Sequence, residues 1–351
     1  MKKNKLRLYI PSLIFFLITQ FSCDNNIIEK KIFVKSNIVN SQLKNNDTLT
    51  LLVNSKKDLT FKIKSNMKLI SILPVKKNIS NSSKYYFTLE NLTLGKKELF
   101  IENHQHEKIK FTLLSSKIPE IFDYEILNEF SRSKNNYTQG LEFFNDTLYE
   151  SLGQYGKSKL IKVDYKNGQY LNEILLPSNQ FAEGLTIINN KIIQLTWKEK
   201  IGLVYDLKTF KKISSFDYGN SKEGWGICND GIKLYKSDGT EKIWILNPKK
   251  NYFEEDYIEI YTNKNKVVGL NELEWVDGKI YANRYLFEGI AIINSRNGAI
   301  EGVINLSNLK EKVTQHEKLD VINGIAYHHD RKSFFVTGKM WDKIFEIKIL
   351  K

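Results

Sequence analysis

The chain has 351 residues, 41% of them hydrophobic and 12% aromatic, which is enough for two or three domains with substantial cores. Its 53 Lys+Arg against 40 Asp+Glu give a net charge of +13, and residues 1–120 hold 21 of the basic and only 9 of the acidic residues. A nucleic-acid enzyme would gather its basic charge around its site, so this distribution argues against one; the basic segment is expected to be solvated or to face an anionic membrane.

The first segment reads as targeting, not fold. Lys2, Lys3, Lys5 and Arg7 precede an apolar run from Leu8 to Phe21, and the chain turns polar after Ser22-Cys23-Asp24. A positive start, a short apolar stretch and a small residue at the break describe a secretory signal peptide over residues 1–22. A cysteine at that junction resembles a bacterial lipoprotein signal, so Cys23 is expected to be the lipidated first mature residue, anchoring an exported protein to a membrane of the cell envelope. Gln20 departs from that pattern, since an aliphatic residue is usual there. Acylated Cys23 would leave Cys228 unpaired, and Cys228 is expected to be a buried, inert thiol.

Residues 24–45 are Asn-, Ser- and Lys-rich and are expected to form a flexible tether. From 46 to 116, short runs such as Leu49–Val53, Leu59–Ile63, Tyr85–Leu89 and Ile109–Leu113 alternate apolar and polar residues. Their spacing predicts a small antiparallel sandwich of immunoglobulin type, a spacer or docking module without clustered ionisable groups. His104 and His106 alternate on one of its edges with no third ligand nearby, so a solvated edge is expected there instead of a metal site.

After the linker around Pro119, one sentence is written five times: a polar residue, a short apolar strand, a tight turn and a second strand. The copies begin at Gln139, Glu183, Glu223, Asn271 and Asn323, spaced 44, 40, 48 and 52 residues apart. That period, with several strands per copy, predicts a five-bladed propeller over 122–351 whose inner strands carry the recurring polar residue toward the axis. The fifth copy owns only three strands, so residues 122–130 are expected to supply its outer one and close the ring. The fold class is therefore all-β: a propeller preceded by a small sandwich. Glu183 stands out, because a carboxylate among aromatics is expensive unless it is used. Trp244 and Trp275 read as core, and Asp238 in Ser237-Asp238-Gly239-Thr240 as a turn residue or a supporting neighbour of the site.

The span from about Tyr124 to Lys351 resembles the plant and bacterial type of glutaminyl-peptide cyclotransferase (glutamine cyclotransferase). The resemblance is carried by nine stretches in order. They are Tyr137-Thr138-Gln139-Gly140-Leu141, Glu183-Gly184-Leu185-Thr186, Gln194-Leu195-Thr196-Trp197-Lys198, Glu223-Gly224-Trp225-Gly226 and Ser237-Asp238-Gly239-Thr240, then Asn271-Glu272-Leu273-Glu274, Tyr281-Ala282-Asn283, Asn323-Gly324-Ile325-Ala326 and Thr337-Gly338-Lys339-Met340-Trp341. It implies closure of a peptide's N-terminal glutamine to pyroglutamate with release of ammonia, without zinc or another cofactor. The partners it implies are peptides or proteins with N-terminal glutamine; oligomeric state is not encoded visibly, and a monomer is the default expectation.

By the same resemblance Glu183 takes the catalytic position, Gln139, Asn271 and Lys339 the other polar positions, and Tyr137, Phe181, Trp197, Trp225 and Tyr285 the aromatic substrate-binding ones. The chemistry suits that set: an aromatic cage curls the glutamine, Glu183 shuttles the proton, Lys339 and Asn271 stabilise the oxyanion, and Gln139 orients amine or carboxylate. Tyr137 replaces a common phenylalanine, Tyr285 a common tryptophan, and Ser131-Arg132-Ser133 the usual Pro-His-Asp. Two other readings are a non-catalytic propeller binding peptide termini or glycans, and a metal-dependent propeller lactonase, for which Glu183 and Glu223 supply few axial carboxylates.

Overall fold

A computed structural model describes residues 32–102 and 108–351. The signal peptide, Cys23, His104 and His106 lie outside the described residues. Among the described residues no helix is long and apolar enough to cross a membrane.

Residues 32–116 form two packed sheets. One has four strands, ordered Val34–Ser36, Thr48–Val53, Ser82–Thr88 and Val75–Ile79; the other has five, ordered Gln42–Lys44, Lys108–Leu114, Gly95–Ile101, Phe61–Ser65 and Lys68–Ile72. Strict alternation drives the packing: Leu49, Leu51 and Val53 of one sheet and Phe61, Ile63, Leu99 and Ile101 of the other are buried between them. The expected tether is corrected by this arrangement from residue 32 onward. Val34–Ser36 pairs with Leu51–Val53, Gln42–Lys44 runs parallel to Thr112–Leu114, and Ile32 and Leu43 join the core. Ile32 and Leu43, with Val34 and Ile38 packed beside them, anchor this otherwise polar stretch.

The sandwich is not a free spacer. Tyr261 and Ala299, from the other half of the chain, complete its core. Leu94 N–H donates to Asn297 O at 2.8 Å, Lys96 N–H to Glu259 Oε2 at 2.7 Å, and Lys68 pairs with Asp256 at 2.8 Å.

The remainder is a ring of five four-stranded blades. Blade 1 spans Thr138–Leu175, blade 2 Ala182–Asp217, blade 3 Ile227–Glu259 and blade 4 Leu270–Asn305. Blade 5 takes Ile322–His328, Ser333–Gly338 and Lys343–Leu350 and is completed by Glu120–Ser131, which runs antiparallel to the chain's last strand from Asp123↔Leu350 to Ser131↔Lys343. The expected closing strand is present and longer than 122–130. Its first residues also pair in parallel with Gly302–Ile304 of blade 4, so the chain's halves are laced together at two blades.

At the axis the inner strands approach closely, and glycine makes this possible. A Cβ on Gly140 would lie 2.4 Å from Leu185 N, and one on Gly184 2.7 Å from Gly226 Cα. This is the physical meaning of the glycine behind the polar residue in Gln139-Gly140 and Glu183-Gly184. In blades 1, 2, 4 and 5 the pairing with the second strand is interrupted at that place, between Thr138/Gly140, Ala182/Leu185, Leu270/Leu273 and Ile322/Ile325. A bulge re-aims a side chain that would otherwise alternate across the sheet, and here it releases the polar group toward the channel.

Candidate active site

The channel widens into a cavity at each end. The far one, about 340 Å³, is lined among others by Glu142, Glu274, Cys228 and His329. Its carboxylates hold strands: Glu142 accepts the Ile187 N–H, and Glu272 above it accepts those of Leu141 and Ile325 from two different blades. Burial pushes the Cys228 thiol up, as expected of an inert thiol.

The near cavity, about 290 Å³, is lined by Tyr137, Gln139, Phe181, Glu183, Trp197, Trp225, Asn271, Tyr285 and Lys339. These are the nine catalytic and substrate-binding residues expected from sequence, brought together from all five blades. Their convergence has a simple topological cause. Tyr137, Phe181 and Trp225 stand before inner strands, Gln139, Glu183 and Asn271 lie at the start of theirs, and Trp197, Tyr285 and Lys339 follow the ends of second strands. Inner strands leave from this face and second strands return to it, so all nine are at one end of the ring.

Glu183 is 5% exposed. Its Oε1 accepts from Gln139 Nε2 at 2.9 Å, and Gln139 Oε1 accepts from Asn323 Nδ2 at 3.1 Å, so a relay of amides runs from blade 5 through blade 1 to the carboxylate of blade 2. Burial pushes the Glu183 carboxyl well above the usual carboxylate range; the Lys339 cation opposes this, and Glu223 and Glu199 add to it. Burial lowers Lys339, while Glu183 and Asp320 hold it up. Both groups thus move toward their neutral forms, because removal from water outweighs their mutual attraction. Lys339 is 4% exposed, with its ammonium 4.9 Å from the Tyr137 ring and 5.8 Å from the Tyr285 ring. Asn271 Oδ1 is buried with no hydrogen-bond partner among the described residues, an open acceptor in the cavity wall.

The aromatic walls meet edge to face: Tyr137 with Phe181 at 6.4 Å, Phe181 with Trp197 at 5.4 Å, and Trp225 with Tyr285 at 6.1 Å. The geometry shows what sequence reasoning had no role for. Glu223 does not line the cavity; its Oε2 accepts the indole N–H of Trp197 at 2.6 Å and of Trp225 at 2.8 Å, clamping two walls with one oxygen. Glu199 accepts from Phe181 N–H at 3.2 Å and from the Tyr155 hydroxyl at 2.8 Å, and Asp320 accepts from the Tyr137 hydroxyl at 3.0 Å. Only Glu223 left a signal in the sequence, as the third of the five recurring polar positions.

Asp238 is a support and not a lining residue: it accepts from Thr240 N–H, from Lys222 N–H and from the Trp244 indole, while Gly239 leaves room for Trp225. Arg132, in the stretch departing from Pro-His-Asp, is buried and donates to Thr337, Thr138 and Glu150, tying the neighbours of Lys339 and Gln139 together. Among the described residues no three His, Cys, Asp or Glu come together as a metal site, and Glu183 is the one carboxylate lining the cavity.

A closed five-bladed propeller with a dry carboxylate, an ammonium and an aromatic cage at one mouth is a propeller with a candidate active site in its axial channel. Comparison with known proteins narrows this. The family model for glutamine cyclotransferase matches residues 99–349, beginning within the sandwich and earlier than the resemblance in the sequence reached. Glutaminyl-peptide cyclotransferase of Arabidopsis thaliana is 38% identical over 241 residues, 67% of this chain and 73% of that protein. The crystal structure of Myxococcus xanthus glutaminyl cyclase superposes with a TM-score of 0.61 at 28% identity, covering 66% of this chain and 98% of that one. The chain belongs to the glutamine cyclotransferase family and is an enzyme.

Proposed function

We propose that the near cavity binds the N-terminal glutamine of a peptide and closes it to pyroglutamate, with Glu183 as the proton shuttle. The α-amine nitrogen forms a bond to the side-chain carboxamide carbon, making the five-membered lactam. Glu183, as carboxylate, takes a proton from that nitrogen and delivers it to the departing NH2, which leaves as ammonia; the carboxylate is then restored. One group can do both because its Oε1 is held by Gln139 while Oε2 has no hydrogen-bond partner among the described residues. That buried, half-satisfied carboxylate is the observation that carries the reading.

The cage contributes by restricting the glutamine side chain to a curled form and by excluding water, so that the attack becomes intramolecular in practice as well as in name. Lys339 and Asn271 are the donors available to the oxyanion that develops on the carboxamide oxygen. Among the described residues the cavity offers one carboxylate, no imidazole and a cation, a donor set unsuited to a divalent metal, which supports a zinc-independent reaction. A Gln-initiated dipeptide should release ammonia at a rate indifferent to chelators. A dipeptide left intact, or turnover abolished by chelation and restored by zinc, would overturn the reading.

We also propose that the enzyme is exported and tethered through lipid on Cys23, on the strength of the basic start, the apolar run and the cysteine at its end. The full chain should partition into detergent and Cys23→Ser should not; equal partition of the two would refute the anchor.

A further inference from the structure

A substrate peptide enters the near cavity by its N-terminus, so the rest of its chain must leave across the rim. On the blade 4 side that rim is a ridge built from two loops. Tyr285 N–H donates to Gly269 O at 2.8 Å and Arg284 Nε to Val268 O at 3.1 Å, joining the loops, while the Arg284 guanidinium lies 3.7 Å from the Phe287 ring centroid. The ridge is apolar and exposed: Val268, Tyr285, Leu286 and Phe287 are 39%, 46%, 69% and 52% exposed. Leu286 has φ +64, in the left-handed region that a leucine adopts at a cost. Strain that leaves a leucine in water is unrewarded by the fold itself.

Behind the ridge lies a second cavity of about 420 Å³, lined by Ile121, Val267, Phe287, Ala291, Ile300 and Val303 among others. Tyr285 lines the catalytic cavity and its neighbours Arg284 and Phe287 line this one, so one loop borders both. The Cα atoms of Tyr285 and Phe287 are at most about 7 Å apart, and an extended peptide advances about 3.3 Å per residue, so two to three residues beyond the glutamine cross that loop. Tyr155, on the opposite rim, is held to Glu199 and packs on Phe181.

We propose that this second cavity is a subsite for an apolar side chain at the third or fourth residue of the substrate peptide, reached over the Tyr285–Leu286 ridge. It rests on the reading of the near cavity as the glutamine site. The substrate class it selects is longer peptides or protein N-termini with an apolar residue shortly after the glutamine. Burial of one such side chain against the cavity wall should raise kcat/KM by about tenfold, mostly through KM.

The test uses Gln-initiated peptides of two to six residues, carrying Leu or Ser at positions three and four, with ammonia release as readout. The wild type should favour the Leu peptides of four or more residues about tenfold over their Ser counterparts. Ile121→Asp and Phe287→Ser, at exposed side chains outside the catalytic cavity, should abolish that preference while leaving dipeptide turnover unchanged. Dipeptide turnover with no effect of length or side chain would overturn the subsite alone, as would a preference that survives in both variants. Failure to turn over any Gln peptide would overturn the glutamine site and this inference with it.

Discussion

Glu223 gives the sharpest test of how the cage works. Its Oε2 receives both indole N–H groups, at 2.6 and 2.8 Å, from Trp197 of blade 2 and Trp225 of the neighbouring blade 3. In Glu223→Ala both rings lose their acceptor, and each must be ordered anew when substrate binds. Ordering costs about 0.5–1.5 kcal/mol per side chain. The two together amount to about 1–3 kcal/mol, or about 5- to 150-fold in kcat/KM, carried mainly by KM. Glu223→Gln keeps one oxygen able to accept both indoles and should lose only about threefold, the difference between charge-assisted and neutral hydrogen bonds.

Both variants also remove a negative charge that pushes Glu183 up. The acid limb of kcat/KM should therefore move to lower pH in each, even as the plateau falls. Ammonia release from a Gln dipeptide across pH 5–9 reads both effects. A Glu223→Ala enzyme with kcat/KM within twofold of wild type and an unmoved acid limb would refute the clamp.

Lys339→Met should move the acid limb the other way, to higher pH, because the cation that opposes the raised Glu183 is gone, and should cut kcat about a hundredfold through loss of an oxyanion donor; pH profiles of the variant check both. Arg132→Met leaves the buried Glu150 carboxylate without its cation and should destabilise the protein by about 3–5 kcal/mol in denaturant unfolding. Glu274 has its folded pKa raised above the unfolded value by burial, with Glu142 and Glu272 adding to the rise. The folded state thus holds the extra proton, and the stability this group allows is full below about pH 4.5 and lost as pH rises toward the folded value. Thermal unfolding followed from pH 5 to 9 should fall less steeply for Glu274→Gln than for wild type.

What could be read from the sequence was what depends on local chemistry. The polar-Gly pairs at Gln139, Glu183 and Asn323 mark bulges whichever residues lie opposite and announced the axis directly, whereas Glu223-Gly224, alike in sequence, falls ahead of its inner strand Ile227–Asn229 and does not. The missing fourth strand of the last copy identified the closing strand, because a ring cannot leave an edge. The nine cavity residues were reached through the family resemblance, and the strand directions explain why they meet. Contacts between distant segments left little trace. Asp320 and Tyr137 are 183 residues apart, and Glu199 and Asp320 act through residues no repeat links them to. Arg132 looked only like a departure from a motif, although it braces two blades. The polar stretch from residue 32 hid two short strands, because pairing with Thr48–Val53 and Lys108–Leu114 supplies what its own composition lacks. The seating of the sandwich on blades 3 and 4 rests on single residues such as Tyr261 and Glu259, which belong to no pattern.

Everything about the chemistry depends on Glu183 moving the proton. The most direct measurement is kcat for Glu183→Gln on a Gln-initiated dipeptide, with thermal unfolding and inhibitor or product binding recorded in parallel. With Glu183 as the shuttle, kcat should fall about 10²–10⁴-fold with folding and binding retained. A variant that turns over at close to the wild-type kcat would contradict that role.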